Sequence, residues 1–327
     1  MKKVKVGVIG AGYWGTKLAC EYSLLSNQSD DISLDWVADV SNNRLNSIKQ
    51  QLGRGHIQFC TDYGSILQDE KVDGVHIAVP NHLHYKVARD ALESGKHVLI
   101  EKPMALSSRE AFKLAELSEE KDLVLQVGHI YRFNNALRKL REIVRQEAYG
   151  KILYARIVWA THVTPPEGRD IVFDLVPHPI DVLNYLLNKW PIHVNAIGGS
   201  YIRKETGQEE VVFINLTFPG TVLANVYASW IEPGTKERSV DLVSEKATIR
   251  CDALNQHLAF CTIDGEKTDT ILSPNNTIRD MQLHFIERIR GKGPQLNDPL
   301  IGATTVQVLE AISRSMKKVS AGNLSLS

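Results

Sequence analysis

The chain has 327 residues, which corresponds to about two domains of ordinary size. Hydrophobic residues make up 43% and charged residues 23%, a composition typical of a folded protein and not of a disordered one. Lys plus Arg and Asp plus Glu each number 38, so the formal net charge is zero. This excludes the basic excess of a dedicated nucleic-acid-binding protein. The four cysteines are too few for a disulfide scaffold and indicate reduced thiols in a cytoplasmic protein.

A membrane protein is not expected either. No stretch reaches the roughly 18 apolar residues that a membrane helix requires. The N-terminus combines lysines with an apolar run, but Lys5, Lys17 and several glycines interrupt it, which is not typical of a signal peptide.

Short apolar strands alternate with helices through the first half of the sequence. Strands are expected at Val4–Ile9, Leu34–Ala38, Ile57–Cys60, Val75–Val79, His97–Ile100 and Leu123–Val127. Segments with helical spacing lie between them, at Trp14–Leu25, Asn43–Gln51, Tyr63–Gln68, His84–Ser94 and Ser108–Glu120. This alternation indicates βαβ units, and the continuous apolar runs indicate strands buried on both faces. We therefore predict an α/β domain with a doubly wound parallel sheet.

The pattern changes after Asn134. Strands are expected at Ile152–His162, Val194–Ile202, Val211–Phe218, Val222–Trp230, Arg238–Ser244, Ala247–Cys251 and Leu258–Ile263. Helices are expected at Phe133–Val144, Val176–Leu187, Ile278–Arg290 and Ile301–Lys317. Short turns between consecutive strands favour antiparallel pairing. We predict one domain over residues 1–130 and a second over residues 131–327, with the last helix belonging either to the second domain or to the first.

Gly10-Ala11-Gly12-Tyr13-Trp14-Gly15 forms a G-x-G-x-x-G loop between the first predicted strand and helix. In such a loop the first glycine allows a tight turn, the second lets the backbone approach a pyrophosphate, and the third lets the helix pack on the strand. The helix N-terminus then offers free N–H groups to the phosphates. The alternative is a structural glycine turn in an unrelated α/β protein.

Asp39 ends the second predicted strand, close to the spacing from a glycine loop at which a carboxylate binds the ribose hydroxyls of a dinucleotide. A carboxylate there repels a 2′-phosphate, so NAD is favoured over NADP. The nearby Arg44 weakens that preference. The predicted cofactor is NAD.

A second loop, Val79-Pro80-Asn81-His82-Leu83-His84, follows the fourth predicted strand. The carboxyl ends of such strands bind the ligands of a doubly wound sheet, so we expect Val79, Pro80, Asn81 and His84 to line the cofactor. The two histidines lack a flanking cysteine or carboxylate cluster, so no metal site is predicted.

Glu101-Lys102-Pro103 ends the fifth predicted strand. A lysine there can bind a substrate hydroxyl or relay a proton. A base role requires desolvation or a cationic neighbour, because the pKa of free lysine is about 10.4. The alternative is a surface lysine paired with the glutamate.

Asp174, His178 and Asp181 are spaced so that they share one face of a helix. A carboxylate one turn from an imidazole suits the orientation of a general base. Pro177 and Pro179 are tolerated only in a first helical turn, so the helix should begin near 177–179, with Asp174 before it. The alternative is a helix cap and a structural histidine.

Taken together, these residues resemble the Gfo/Idh/MocA family, named for glucose–fructose oxidoreductase, inositol 2-dehydrogenase and their relatives. The resemblance covers nearly the whole chain. It depends on the glycine loop, the segment Ala78–His84, the Glu101-Lys102-Pro103 tripeptide and the segment Asp174–Asp181. The tripeptide is the most specific of the four.

The resemblance implies an N-terminal Rossmann domain and a C-terminal α/β domain with a large, mostly antiparallel open sheet. That sheet usually forms the interface of a homodimer or homotetramer. The family's lysine maps onto Lys102, whose bond to Pro103 is often cis, and its Asp and His map onto Asp174 and His178. Substrate-facing positions map onto Tyr131, and more weakly onto Trp159 and His162.

One segment departs from the family pattern. Many members carry a glycine-rich turn before the aspartate, whereas this chain has Arg169-Asp170-Ile171-Val172-Phe173. These larger side chains would make the wall of the substrate pocket bulkier, so the substrate is harder to predict. The two prolines around His178 look more like members from nucleotide-sugar and polysaccharide pathways.

The resulting hypothesis is an NAD-dependent oxidoreductase that acts on a sugar, nucleotide-sugar or cyclitol hydroxyl. His178 would be the general base, Asp174 would support it, and Lys102 would stabilise charge on the reacting oxygen, with Lys102 as base the alternative. Two other functions stay open. One is a redox-neutral glycosidase or lyase that retains its NAD, and the other is a dinucleotide-binding sensor without catalysis.

Overall fold

The computed structural model describes residues 3–53, 55–234 and 236–319. The chain divides into two compact units. The first comprises Met1–Ile130 and Asn276–Val306, and the second comprises Tyr131–Asn275 and Gln307–Ser327. The sequence predicts domains over residues 1–130 and 131–327 and leaves open whether the last helix returns to the first domain.

The first unit is built on a parallel sheet. Its strands are β1 (Val4–Ile9), β2 (Ile32–Ala38), β3 (Gln58–Cys60), β4 (Gly74–Ile77), β5 (His97–Ile100) and β6 (Leu125–Val127). Its N-terminal helices are α1 (Tyr13–Gln28), α2 (Asn42–Leu52), α3 (Gly64–Gln68), α4 (His84–Glu93) and α5 (Ser108–Glu120), with 3₁₀ turns at Asn81–Leu83 and Ile130–Phe133. The strand order β3-β2-β1-β4-β5-β6, with every pairing parallel, confirms the doubly wound sheet.

The apolar runs of the central strands are explained by burial on both faces. Val6, Val8, Val75 and Val98 are all completely buried. The carboxyl ends of these strands place the glycine loop and the Lys102 loop at the same edge of the sheet, because parallel strands all end there.

The second unit is built on an open sheet. Its strands are β7 (Ile152–Ala160), β8 (His193–Gly199), β9 (Val211–Thr217), β10 (Leu223–Ser229), β11 (Glu237–Ser244), β12 (Ala247–Asp252), β13 (His257–Thr262) and β14 (Lys267–Ile271). Its first helices are α6 (Asn135–Arg145), α7 (Ile171–Asp174) and α8 (Pro177–Leu187). Among the described residues the strand order is β14-β13-β12-β11-β7-β10-β9-β8.

The pairing in this sheet is mostly antiparallel, as predicted, with one exception. β7 lies between β10 and β11 and pairs parallel with β10. The sequence did not predict β14, which is polar, or α7, which has only four residues. One sheet face packs on the helices through side chains such as Ile157, Ile214 and Val240.

Helix α9 (Thr277–Ile289) belongs to the first unit because its contacts lie there. Met281, Phe285 and Ile286 are completely buried. The Gln282 amide donates to the Leu18 carbonyl at 3.0 Å, and the Gln126 amide donates to the Met281 carbonyl at 3.1 Å. Helix α10 (Pro299–Val319) contributes to both units. Within the described ranges, no helix is long and apolar enough to cross a membrane.

Candidate active site

The three glycines of the loop differ in how much space surrounds them. A Cβ on Gly10, whose φ is +100°, would lie 2.4 Å from the Ala78 carbonyl oxygen, and a Cβ on Gly15 would lie 1.9 Å from the Gly10 carbonyl oxygen. A Cβ on Gly12 would meet nothing within 4 Å. The structure therefore needs Gly10 and Gly15 for packing, whereas the space at Gly12 fits the approach of a pyrophosphate.

Gly12 is also the N-cap residue of α1, and no described side chain caps this helix end. The first N–H groups of α1 can therefore bind phosphate oxygens. Tyr13 is 79% exposed beside them, and its hydroxyl accepts a hydrogen bond from Lys17 Nζ at 2.7 Å. These features fit a dinucleotide.

Asp39 holds the glycine loop to the end of β2. Its Oδ2 accepts from the Ala11 N–H at 2.7 Å, and its Oδ1 accepts from the Ser41 N–H at 2.8 Å. Arg44 Nη1 lies 3.6 Å from Oδ2. Each carboxylate oxygen can accept a further hydrogen bond, so the ribose contact stays a prediction.

Glu101 is a buried carboxylate held by His76 of β4. His76 Nε2 lies 3.3 Å from its Oε1. Burial alone would raise the pKa of Glu101, but its interactions with His76, Trp14 and Lys102 hold that pKa below its ordinary value. A Cβ on Gly128 would lie 2.9 Å from the carboxylate, so a side chain at this position would displace Glu101.

His84 connects the two ligand-side loops of the first unit. Its Nδ1 lies 2.6 Å from the Pro103 carbonyl oxygen and its Nε2 lies 2.9 Å from the Val79 carbonyl oxygen. Burial lowers the pKa of His84, although both carbonyl oxygens favour the protonated form. The ring therefore fixes the backbone of both loops. In the described part of the chain no group of three or more potential metal-ligating side chains occurs.

Asn81 begins the 3₁₀ turn next to this histidine, with Pro80 as its cap. Lys102 is the second residue after β5 and is joined to Pro103 by a cis peptide bond, as the family resemblance implies. The structure thus brings the predicted cofactor residues of this unit into one connected group.

In the second unit, Asp174 and His178 lie on two successive helices. Asp174 is the last residue of α7, and His178 is the second residue of α8. Asp174 therefore precedes the longer helix, which confirms the helix start predicted from the prolines. Arg169 Nη1 lies 3.3 Å from Asp174 Oδ1.

Asp181 does not belong to this group. It is 1% exposed, and its Oδ1 accepts from Arg132 Nε at 2.7 Å. Asp181 has the sequence spacing of a site residue, but its carboxylate forms a structural ion pair with Arg132.

His178 packs against two aromatic rings. Its ring centroid lies 5.2 Å from that of Tyr131 and 6.2 Å from that of Trp159. The rings of Tyr131 and Trp159 meet edge to face at 4.8 Å. Three of the predicted substrate-side residues are thus in mutual contact.

His162 follows β7 and forms a backbone bridge with Ile231. Its substrate contact stays a prediction. The sequence analysis also missed Arg238, which is 7% exposed with its guanidinium carbon 5.4 Å from the Trp159 ring. Arg238 shares strand parity with the buried Val240 and Leu242, and a charge in phase with apolar residues could have revealed it.

Two models of one protein family match this chain. The NAD-binding Rossmann-fold domain of the Gfo/Idh/MocA oxidoreductase family matches residues 4–129, and the C-terminal domain of the same family matches residues 137–250.

Individual relatives support the same assignment. The UDP-N-acetylglucosamine 3-dehydrogenase of Acidithiobacillus ferrooxidans is 30% identical over 245 residues, which is 73% of this chain and 71% of the relative. The myo-inositol 2-dehydrogenase of Thermotoga maritima is 27% identical over 63% of this chain and 61% of its own. A solved structure of the Acidithiobacillus enzyme matches with a TM-score of 0.86 at 24% identity, over 97% of this chain and 99% of that one. This chain belongs to the Gfo/Idh/MocA family, and it is an NAD-dependent oxidoreductase of the dehydrogenase and reductase type.

Proposed function

We propose that this chain transfers a hydride between NAD and a carbinol carbon of a sugar, nucleotide sugar or cyclitol. The observation that carries the proposal is the packing of His178 against Tyr131 and Trp159 at the start of α8. An imidazole fixed in this way can take a hydroxyl proton without first having to be ordered. The relatives named for a nucleotide sugar and for a cyclitol support this range of substrates.

The residues have separate roles in this proposal. His178 takes the hydroxyl proton, and the Asp174 carboxylate stabilises the resulting imidazolium. Lys102 donates a hydrogen bond to the same oxygen and stabilises its developing negative charge. Bound NAD accepts the hydride, or returns it in the reductive direction.

The buried Glu101 supports Lys102 by fixing the backbone at the end of β5, directly before the lysine. His178 is the preferred base because its ring is held against Tyr131 and Trp159.

The experiment is NADH formation by the purified protein with NAD and a panel of UDP-sugars, dTDP-sugars, free hexoses and inositols. K102A should lower kcat by about 100-fold or more, the scale for losing one donor to a charged transition state. K113A, at an exposed position of α5, is the matched control and should match the wild type. Full turnover by K102A would overturn the proposal. Substrate consumption without net NADH would identify a redox-neutral enzyme instead.

We also propose that a second copy of this chain covers the outer face of the open sheet. Large apolar side chains are exposed on that face: Tyr154, Ile197, Phe213 and Leu223. An apolar patch of this kind on a sheet surface marks an interaction site.

A cytoplasmic location fits the four cysteines, which are all free thiols.

A further inference from the structure

Arg238 places a permanent positive charge inside the second unit. It lies at the start of β11 and faces the helices together with Val240 and Leu242. Its Nη1 donates to the Ala160 carbonyl at 2.7 Å and to the Glu237 carbonyl at 2.6 Å. The Nε–Nη2 side of the guanidinium therefore remains for side chains and ligands, since an arginine has five N–H donors.

Two other arginines of this unit, one buried and one half-buried, have a carboxylate partner. Arg132, 4% exposed, binds Asp181 at 2.7 Å. Arg203, with its side chain 13% exposed, binds the fully buried Glu210 at 3.0 Å. In the described ranges, by contrast, no carboxylate lies within ion-pair distance of Arg238.

The neighbours of Arg238 compensate its charge only in part. They are two backbone carbonyls, the Trp159 ring and the Tyr131 hydroxyl. Dipoles and ring faces attract a cation but carry no net negative charge. A buried charge without a counter-ion is costly, and a bound anion removes that cost.

Arg238 lies close to the proposed catalytic residue His178. Tyr131 and Trp159, its two side-chain neighbours, are the same two rings that pack on His178. A group held by Arg238 would therefore lie close to the hydroxyl that His178 deprotonates.

We propose that Arg238 is a specificity-determining residue that binds an anionic group on the substrate, attached near the reacting carbinol carbon. The group is a carboxylate or a phosphate, because both match the planar guanidinium fork. This inference depends on the proposed function and narrows its substrate class from sugars and cyclitols in general to anionic ones.

The test compares neutral and anionic members of matched pairs with NAD. D-glucose is set against D-glucuronate and D-glucose 1-phosphate, and N-acetylglucosamine is set against UDP-N-acetylglucosamine. We expect the wild type to prefer the anionic members by roughly 10- to 100-fold in kcat/KM, the range for a charged hydrogen-bonded pair. Glucuronate and the phosphates distinguish the two sources of negative charge.

R238Q should remove this preference by lowering kcat/KM for the anionic substrates alone, and R238K should keep part of it. R250Q is the control, because Arg250 is a largely exposed arginine on the same sheet that pairs with Asp241. An equal loss on neutral and anionic substrates would assign Arg238 to structure only and overturn the inference. Preference for the neutral members by the wild type would overturn it as well.

A binding measurement tests the anion site independently of the proposed hydride transfer. The shift in Tm caused by D-glucuronate and by UDP-N-acetylglucosamine is measured with saturating NADH, which requires no turnover. A shift in the wild type that R238Q loses would support the anion site even if no NADH is formed. Equal shifts in both proteins, or no shift in either, would overturn it.

Discussion

Nε2 of His76 and Oε1 of Glu101 lie 3.3 Å apart in the interior of the first unit. The contact joins β4 to the end of β5, directly before Lys102. His76 is completely buried, and its ring also meets Tyr22 edge to face at 5.9 Å. The position of the lysine loop thus depends on a polar pair whose histidine lies outside the family motifs.

The first prediction concerns this pair. H76L should lower the free energy of unfolding by about 1–3 kcal/mol, because it leaves the buried Glu101 carboxylate with one fewer hydrogen-bond partner. Urea unfolding followed by circular dichroism measures the change. H193L, at an exposed strand position of β8, should stay within about 0.5 kcal/mol of the wild type. Equal effects of both substitutions would show that the contact contributes nothing specific.

The second prediction concerns pH. The pKa of Glu101 is lowered in the folded protein, so the unfolded chain binds its proton more readily. The ionised Glu101 carboxylate therefore stabilises the folded protein. This stabilisation is complete above the pKa of glutamate in the unfolded chain, about 4.3, and is lost as the pH falls through the pKa of Glu101 in the folded protein.

We therefore expect the stability difference between the wild type and E101Q to be largest near neutral pH and to shrink in acid. Urea unfolding of both proteins at a series of pH values measures it. A difference that grows towards low pH would contradict a lowered pKa.

The sequence predicted the sheet of the first unit because each strand is a continuous apolar run between clear turn signals. It did not predict where α9 packs. The pattern of an amphipathic helix such as Thr277–Ile289 shows which face is buried, but it does not show which part of the protein covers that face. It identified His178 from a local motif. It missed Arg238 because the contacts of that residue with Tyr131 and Trp159 join positions far apart in the chain.

The third prediction separates the two kinds of glycine in the loop. G12A should fold with the stability of the wild type, because a Cβ there meets nothing within 4 Å, yet it should bind NADH more weakly because the methyl group occupies the phosphate path. G15A should be strongly destabilised, since its Cβ would lie 1.9 Å from the Gly10 carbonyl oxygen. NADH fluorescence titration and thermal unfolding measure the two effects. Unchanged NADH affinity in G12A would place the dinucleotide elsewhere.

The last prediction concerns the outer sheet face. Phe213 is 44% exposed there and stacks on Tyr227 with ring centroids 5.0 Å apart. A charge within an apolar interface must be desolvated without a partner, so F213R should reduce the oligomer to a smaller species. Light scattering coupled to size-exclusion chromatography gives the mass. L24R, at a 51% exposed position of α1, should leave the mass of the wild type unchanged. If F213R keeps the mass of a wild-type oligomer, or the wild type is already monomeric, a second copy does not cover this face.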